Sequence, residues 1–162
     1  MLTQLDGPQA RILTFVWVLA AACILEGSIR PSGDLRLLGS GQLRLAADNS
    51  LWNGNIQFDG GTLEVWNTAA LGTGSGGPED FTQVNSGGNL KVRGSLSREP
   101  IRLNGGTLSA VGINSQTSPA ISSNIELQTN SNVAGPENIP ASPGVLGLSG
   151  VISGSGGLST SG

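Results

Sequence analysis

Ile56-Gln-Phe-Asp-Gly-Gly-Thr-Leu-Glu-Val65, Thr82-Gln-Val-Asn-Ser-Gly-Gly-Asn-Leu-Lys-Val92 and Ile101-Arg-Leu-Asn-Gly-Gly-Thr-Leu-Ser-Ala110 are three copies of one pattern. Each is a short alternating strand, a polar residue, a Gly-Gly corner and a second alternating strand. Weaker copies begin at Leu35 (LRLLGSGQLRL), Ile125 (IELQTNSNV) and Leu146 (LGLSGVISGSGGL). The starts at 35, 56, 82, 101, 125 and 146 are separated by 21, 26, 19, 24 and 21 residues, a period near 22. Within a copy, Leu, Ile and Val at alternate positions point to one face, and Gln, Arg, Glu, Lys or Thr to the other. Two or three strands in 22 residues leave no room for crossover helices. A hairpin meander would accept the same alternation, but it has no need of a Gly-Gly corner at the same place in every copy. Stacked parallel coils do need one, because glycine reaches positive φ without a Cβ penalty and lets the chain change direction. Each coil then buries its apolar face in a shared interior and pairs its backbone with the coils above and below. The sequence therefore predicts an all-β parallel β-helix (solenoid) of about six coils, rising roughly 29 Å at ~4.8 Å per coil. The corners are Gly60, Gly61, Gly87, Gly88, Gly105 and Gly106. Asn85, Asn104 and Asn130 fall beside the turns, where amides can ladder between coils.

Working outward, the composition suits such a stack. Gly is 26 of 162 residues, and Gly, Pro and Ser together make a third of the chain, yet enough Leu, Ile, Val and Phe remain to fill an interior. Charged residues are only 12 %. Net charge is −3 and no Lys or Arg follows Arg102, so the basic footprint of a nucleic-acid binder is missing. With no His and only Cys23, zinc and haem sites lack ligands, an internal disulfide is impossible, and imidazole-based nucleophilic catalysis is excluded. No cofactor and no metal are expected.

Residues 12–25, ILTFVWVLAAACIL, are uncharged, with Arg11 before and Glu26 after. As a helix this length falls short of a bilayer core of roughly 30 Å. A basic residue, an apolar stretch and small residues (Ala20 to Ala22) fit an apolar helix or secretory leader cleaved near Ala22. The division predicted is residues 1–26 as signal peptide or leader, 27–34 as linker, and 35–162 as repeats, incomplete at the C-terminal side. The segments 72–80, 114–119 and 135–144 carry dense turn signals and are expected to project sideways.

GGTLEVWNTAALGTG followed by QVNSGGNLKVRGSL, then IRLNGGTL and LSGVISGSGGL, resembles the autotransporter-associated β-strand repeats of large bacterial surface proteins. The resemblance runs from about Leu35 to Gly162 and is densest from Gly61 to Leu108. It implies a right-handed parallel β-helix, an exported stalk or passenger segment, secretion or an outer-membrane-associated place on the cell surface, and repeats without catalytic residues. The partners implied are continuing repeats, or a translocator or anchor, outside this chain. Membrane contact is confined to the N-terminal segment.

Parallel β-helices also carry polysaccharide lyases and hydrolases, whose sites gather carboxylates with Arg or Lys on one outer face. Glu64, Lys91, Arg93 and Arg102 are the residues that qualify here. Glu64 and Lys91 follow the corner at equivalent places and are expected to stack as an outward ion pair, worth little in stability. Glu79 and Asp80 read as a solvated loop tip. Trp66 follows inward-reading Val65, so it faces outward as the candidate contact for an extracellular glycan, with Trp52 a weaker one. The expected function is thus a non-catalytic structural stalk, with a carbohydrate-contacting adhesin second and a β-helix polysaccharide enzyme third.

Overall fold

Beside the corner of each repeat, polar side chains touch from one copy to the next. Arg36 donates to Asp59 Oδ2 at 3.0 Å, Asn85 Nδ2 to Asp59 Oδ1 at 2.6 Å, and Asn104 Nδ2 to Asn85 Oδ1 at 3.0 Å. Thr129 Oγ1 continues the line to Asn104 Oδ1 at 3.3 Å. Such a line of contacts between residues some twenty apart requires the copies to lie on top of one another. The computed structural model describes residues 12–17, 22–29, 33–74, 80–111, 119–135 and 145–161. For 12–17 only the backbone is described.

Two sheets carry the stack, and both are parallel throughout. One contains β1 (Ile12–Trp17), β3 (Asp34–Gly39), β5 (Ile56–Phe58), β7 (Thr82–Asn85), β9 (Ile101–Asn104), β12 (Ile125–Leu127) and β15 (Ile152–Gly154), in that spatial order. The other contains β2 (Ala22–Leu25), β4 (Gln42–Leu45), β6 (Gly61–Val65), β8 (Gly88–Val92), β10 (Thr107–Ala110), β13 (Ser131–Ala134) and β16 (Leu158–Ser161). A short third face pairs β11 (Ala120–Ile121) with β14 (Gly147–Leu148), and Leu96 bridges to Ile121 below them. Lower on that face Asn49 stitches three levels, donating to Ala70 O at 2.7 Å and accepting from Ile29 N at 2.8 Å.

The interior follows from alternation. Leu35, Leu37, Leu43 and Leu45 fill the level of β3 and β4, and Ile56, Phe58, Leu63 and Val65 fill the next. Val84, Leu90 and Val92 follow, then Ile101, Leu103, Leu108 and Ala110, and last Ile125, Leu127 and Val133. Among the described residues the solenoid thus has about five turns with a closed interior. The expected starts at 35, 56, 82, 101 and 125 are the residues that pair in register, Leu35 with Ile56, Ile56 with Thr82, Thr82 with Ile101, and Ile101 with Ile125.

Three expectations differ from what is found, the first being the coil number, since about five turns stand where about six coils were expected. The last copy registers at Ile152, which pairs with Ile125; Gly147–Leu148, inside the copy expected from 146, belongs to the third face. The motif Leu-Gly-Leu-Ser-Gly alternates as well as Val-Ile-Ser-Gly does, so alternation alone could not choose between them. Among the described residues there is no helix, and positions 12–17 and 22–25 of the expected leader are strands paired with β3 and β4. The reason is physical. A continuous apolar run rich in Ile, Phe, Val and Trp serves a parallel strand as well as a helix, and an adjacent sheet edge supplies the backbone partners.

The corners behave as the repeat requires. Gly61, Gly87 and Gly105 have φ of +69°, +86° and +80°. Their companions are held by contact instead: a methyl on Gly60 would meet the Gly39 carbonyl oxygen at 2.8 Å, one on Gly88 the Phe58 ring at 2.8 Å, and one on Gly106 the Val84 side chain. One glycine of each pair turns the chain, and the other lets it approach the level beneath. Of the loops expected to project, residues 75–79, 114–118 and 136–144 lie outside the described residues. The described flank of the first does not project, since Thr73 N donates to Trp52 O at 2.8 Å.

Leu90 is fully buried in the middle level, so Leu90→Ala should cost about 2–5 kcal/mol. Ile152→Ala, at a position 44 % exposed, should cost well under half of that. Urea midpoints at unchanged m-value measure both, and equal costs would contradict a filled interior that ends short of β15.

Candidate functional site

The residue two places ahead of each strand of the first sheet occupies an inner corner. From the paired registers these residues are Gly33, Gly54, Asp80, Glu99, Ser123 and Gly150. On the lower levels the corner is closed by Trp52, whose indole N–H donates to Gly33 O at 2.7 Å, and Gly54 leaves room for that ring. On the upper levels polar side chains take the space. Asp80, Glu99 and Ser123 are all buried.

Parallel register places Asp80 and Glu99 at neighbouring levels, so two carboxyls are stacked out of water. Thr73 Oγ1 donates to Asp80 Oδ2 at 3.0 Å, and Thr82 Oγ1 donates to Glu99 Oε1 at 3.2 Å. Glu99 Oε2 and Ser123 Oγ have no hydrogen-bond partner among fixed donors and acceptors. Two anions cannot share such a site cheaply, because burial and a like charge both disfavour ionisation. Burial first, then the negative charge of Asp80, pushes the Glu99 carboxyl up to about 9 from 4.5, and its hydrogen bond with Asp80 acts in the same direction. Glu99 therefore holds its proton at neutral pH and the two carboxyls hydrogen-bond through it. As oxygen donors the pair and its two threonines offer fewer fixed ligands than the six to eight that a calcium ion takes. Among the described residues no group of three or more His, Cys, Asp or Glu gathers. Two surface clefts of about 200 Å³, one around Ser28, Asn49 and Leu51 and one around Arg102, Asn124 and Ser153, are lined by neither Asp80 nor Glu99.

The outer face of the second sheet holds a different cluster. Glu64, expected in an outward pair, is buried at 4 % exposure and accepts from Gln42 at 2.6 Å and from Arg44 at 3.0 Å. Its register neighbour on β8 is Lys91, as expected, and Glu64 forms an ion pair with Arg44 on the level before at 3.0 Å. Trp66 is 37 % exposed. The guanidinium groups of Arg44 and Arg93, from the levels on either side, lie 4.1 and 3.7 Å from its ring centre. A sugar ring could stack on Trp66 only by displacing a cation. Trp52 is buried and offers a ligand nothing. Arg102 is not part of this cluster: it sits on the first sheet, paired with Glu126 at 2.9 Å and 3.8 Å from the Phe81 ring centre. The four residues named as a potential acidic-polysaccharide site are thus split between two faces.

The corner ladder fits its expectation for Asn85 and Asn104, whereas Asn130 accepts from the backbone N–H of Gly157 at 2.8 Å. Asp80 corrects the solvated-tip reading, and Glu79 lies outside the described residues. Glu99 was not singled out by the sequence. The signal was present, because Asp80 and Glu99 each stand two residues before a repeat start, and equivalence in a parallel stack means contact.

No family model, no curated protein and no solved structure matches this chain.

The carboxyl pair has a measurable consequence. The folded chain binds the Glu99 proton more tightly than the unfolded chain does, so the stabilisation is complete below about pH 4.5 and is lost as pH rises toward 9. Within that window stability should fall by up to about 1.4 kcal/mol per pH unit. Glu99→Gln keeps a donor toward Asp80 without a titrating proton. It should flatten the slope between pH 5 and 8.5 and make the variant the more stable protein at the alkaline end. Urea titrations at four pH values decide this, and an unchanged slope would remove the shared proton.

Proposed function

We propose that this chain is a non-catalytic spacer, a stalk segment of an exported bacterial surface protein like those that carry autotransporter-associated β-strand repeats. The observation that carries the reading is the repetition of one level along one axis, each joined to the next by backbone ladders and by the side-chain line from Arg36 to Thr129. Seven stacked strands at ~4.8 Å separate the two ends by roughly 29 Å. Such an element transmits position, and its working parts are the corners and strands themselves. Further repeats, or a translocator or anchor, are the partners this role needs, and the right-handed winding of such stalks belongs to the same reading.

Under this reading residues 12–25 stay in the folded product as its first level, because cleavage near Ala22 would remove β1 and cut β2 at its first residue. Export would then proceed without loss of this segment. Surface proteolysis of intact bacteria producing the tagged chain, followed by intact-mass measurement of the envelope fraction, tests both parts. The expected result is a protease-accessible chain whose mass includes residues 12–25. A chain found only inside the cell would end the export reading, and a mass beginning near Cys23 would restore the leader.

A glycan-contacting role is the second reading, and the partial exposure of Trp66 is what favours it. Its cost is the displacement of Arg44 or Arg93, each worth about 0.5–1 kcal/mol on an exposed ring. Glycan-array binding that is present in the wild type and lost in Trp66→Ala would support it. The expected outcome under the stalk reading is no binding by either protein. The enzyme reading keeps third place, since Glu64 is already engaged by Gln42 and Arg44 and the Asp80–Glu99 pair lies beneath the surface.

A further inference from the structure

Around Trp66 the hydrogen-bond donors outnumber the acceptors. Val65 pairs with Val92, and Arg93 N donates to Val65 O at 2.9 Å, so Arg93 lies one level above Trp66. Its guanidinium sits 3.7 Å from the ring centre, and among the described residues it donates to no oxygen. The indole N–H of Trp66 has no acceptor there either. Arg44 reaches the ring from the level before, at 4.1 Å, and its Nε is engaged by Glu64 at 3.0 Å, which leaves its two terminal nitrogens. Glu64 is the carboxylate in register with Arg44 and Lys91, and it is buried and already accepts from Gln42 and Arg44. Three of the chain's eight Lys and Arg residues, Arg44, Lys91 and Arg93, thus gather on one outer face of a chain whose net charge is −3. Arg44 and Arg93 are half-buried and Trp66 is exposed, so a ligand reaches all three from solvent.

An aromatic ring held beside unfilled guanidinium forks suits a ligand that brings both an apolar face and an oxyanion. A neutral sugar that stacks on Trp66 has to displace a guanidinium and gives it nothing in return. A sugar bearing a carboxylate lays its C–H groups on the ring and offers two oxygens to the fork of the displaced arginine. The lost ring contact is then replaced by a stronger, charge-assisted one. We propose that Trp66, Arg93 and Arg44 form a binding site for acidic saccharides, with the indole beneath the sugar ring, Arg93 paired with the carboxylate, and Arg44, fixed by Glu64, holding the indole from the level before. This rests on the glycan-contacting reading and narrows it from glycans in general to those that carry a carboxylate. A spacer alone binds no saccharide, whereas a spacer with this site on its side binds acidic ones and leaves neutral ones.

The test applies the full-length chain to an array in which every uronate-containing glycan stands beside its methyl ester, the same sugar without the charge. The wild type should bind the acids roughly tenfold more strongly than the esters, the difference a charge-assisted pair of hydrogen bonds provides. Added salt should narrow that difference. Arg93→Gln should bring the acids down to the level of the esters, and Arg93→Lys, a charge without the fork, should keep part of the preference. Trp66→Ala should abolish binding to both. An unchanged urea midpoint for Arg93→Gln separates its effect from a loss of fold. Acids and esters bound alike, with both lost in Trp66→Ala, would overturn the acidic class and leave the glycan-contacting reading standing. An acid preference that Arg93→Gln leaves intact would overturn the site itself. No binding to any glycan would end the inference and that reading together.

Discussion

Everything in this molecule depends on parallel, in-register pairing of each coil with the coil before it. Register in a strand is a two-state matter, because a slip of one residue exchanges the inner and outer faces. With Leu43, Leu63, Leu90 and Leu108 in line, the interior is continuous, and none of the four can shift without exposing its whole strand's apolar set. The levels are not equally long, since the loops between them absorb the variation in repeat length. What is conserved from level to level is the distance from strand to corner to strand.

Like stacks on like in this geometry, and each column must be compatible with itself. Leucine on leucine gains from contact, and an amide suits the same arrangement because it both donates and accepts, as Asn104 and Asn85 do above Asp59. Carboxyl on carboxyl does not, and the chain meets that problem at Asp80 and Glu99 by retaining a proton. On the outside Glu64 is balanced by Arg44, and Trp66 lies between two guanidinium groups rather than against another ring. Polar columns therefore confer specificity: a slip would break the Asn85–Asn104 pair as surely as it would expose Leu90.

Much of the fold was legible in the sequence because its determinants are local. Alternation and a Gly-Gly corner recur within ten residues, and five of the six repeat starts follow from them alone. The less legible parts depend on a third dimension. Ile152 could be told from Leu146 only by knowing which face Gly147–Leu148 joins. The stretch from Ile12 to Leu25 has no alternation, and a run that apolar fits a leader, a helix or a buried strand until an edge is there to receive it. Asp80 looks like a solvated tip beside Gly and Pro, and Glu99 looks like an ordinary surface charge. Their burial appears once both are counted back from the strands they precede. Trp66 was placed outward correctly by alternation, but the cations on its ring come from other levels and are invisible in its own repeat.

The in-register parallel stack is the central claim, and distances along one outer column test it most directly. Arg36, Arg102, Glu126 and Ser153 share such a column on the first sheet, Arg102 three levels from Arg36 through Gln57 and Gln83. Spin labels at position 36 paired in turn with 102, 126 and 153 should give separations that lengthen by about 4.8 Å at each step. Separations that fail to grow in order, as a folded-back meander would give, would contradict the account.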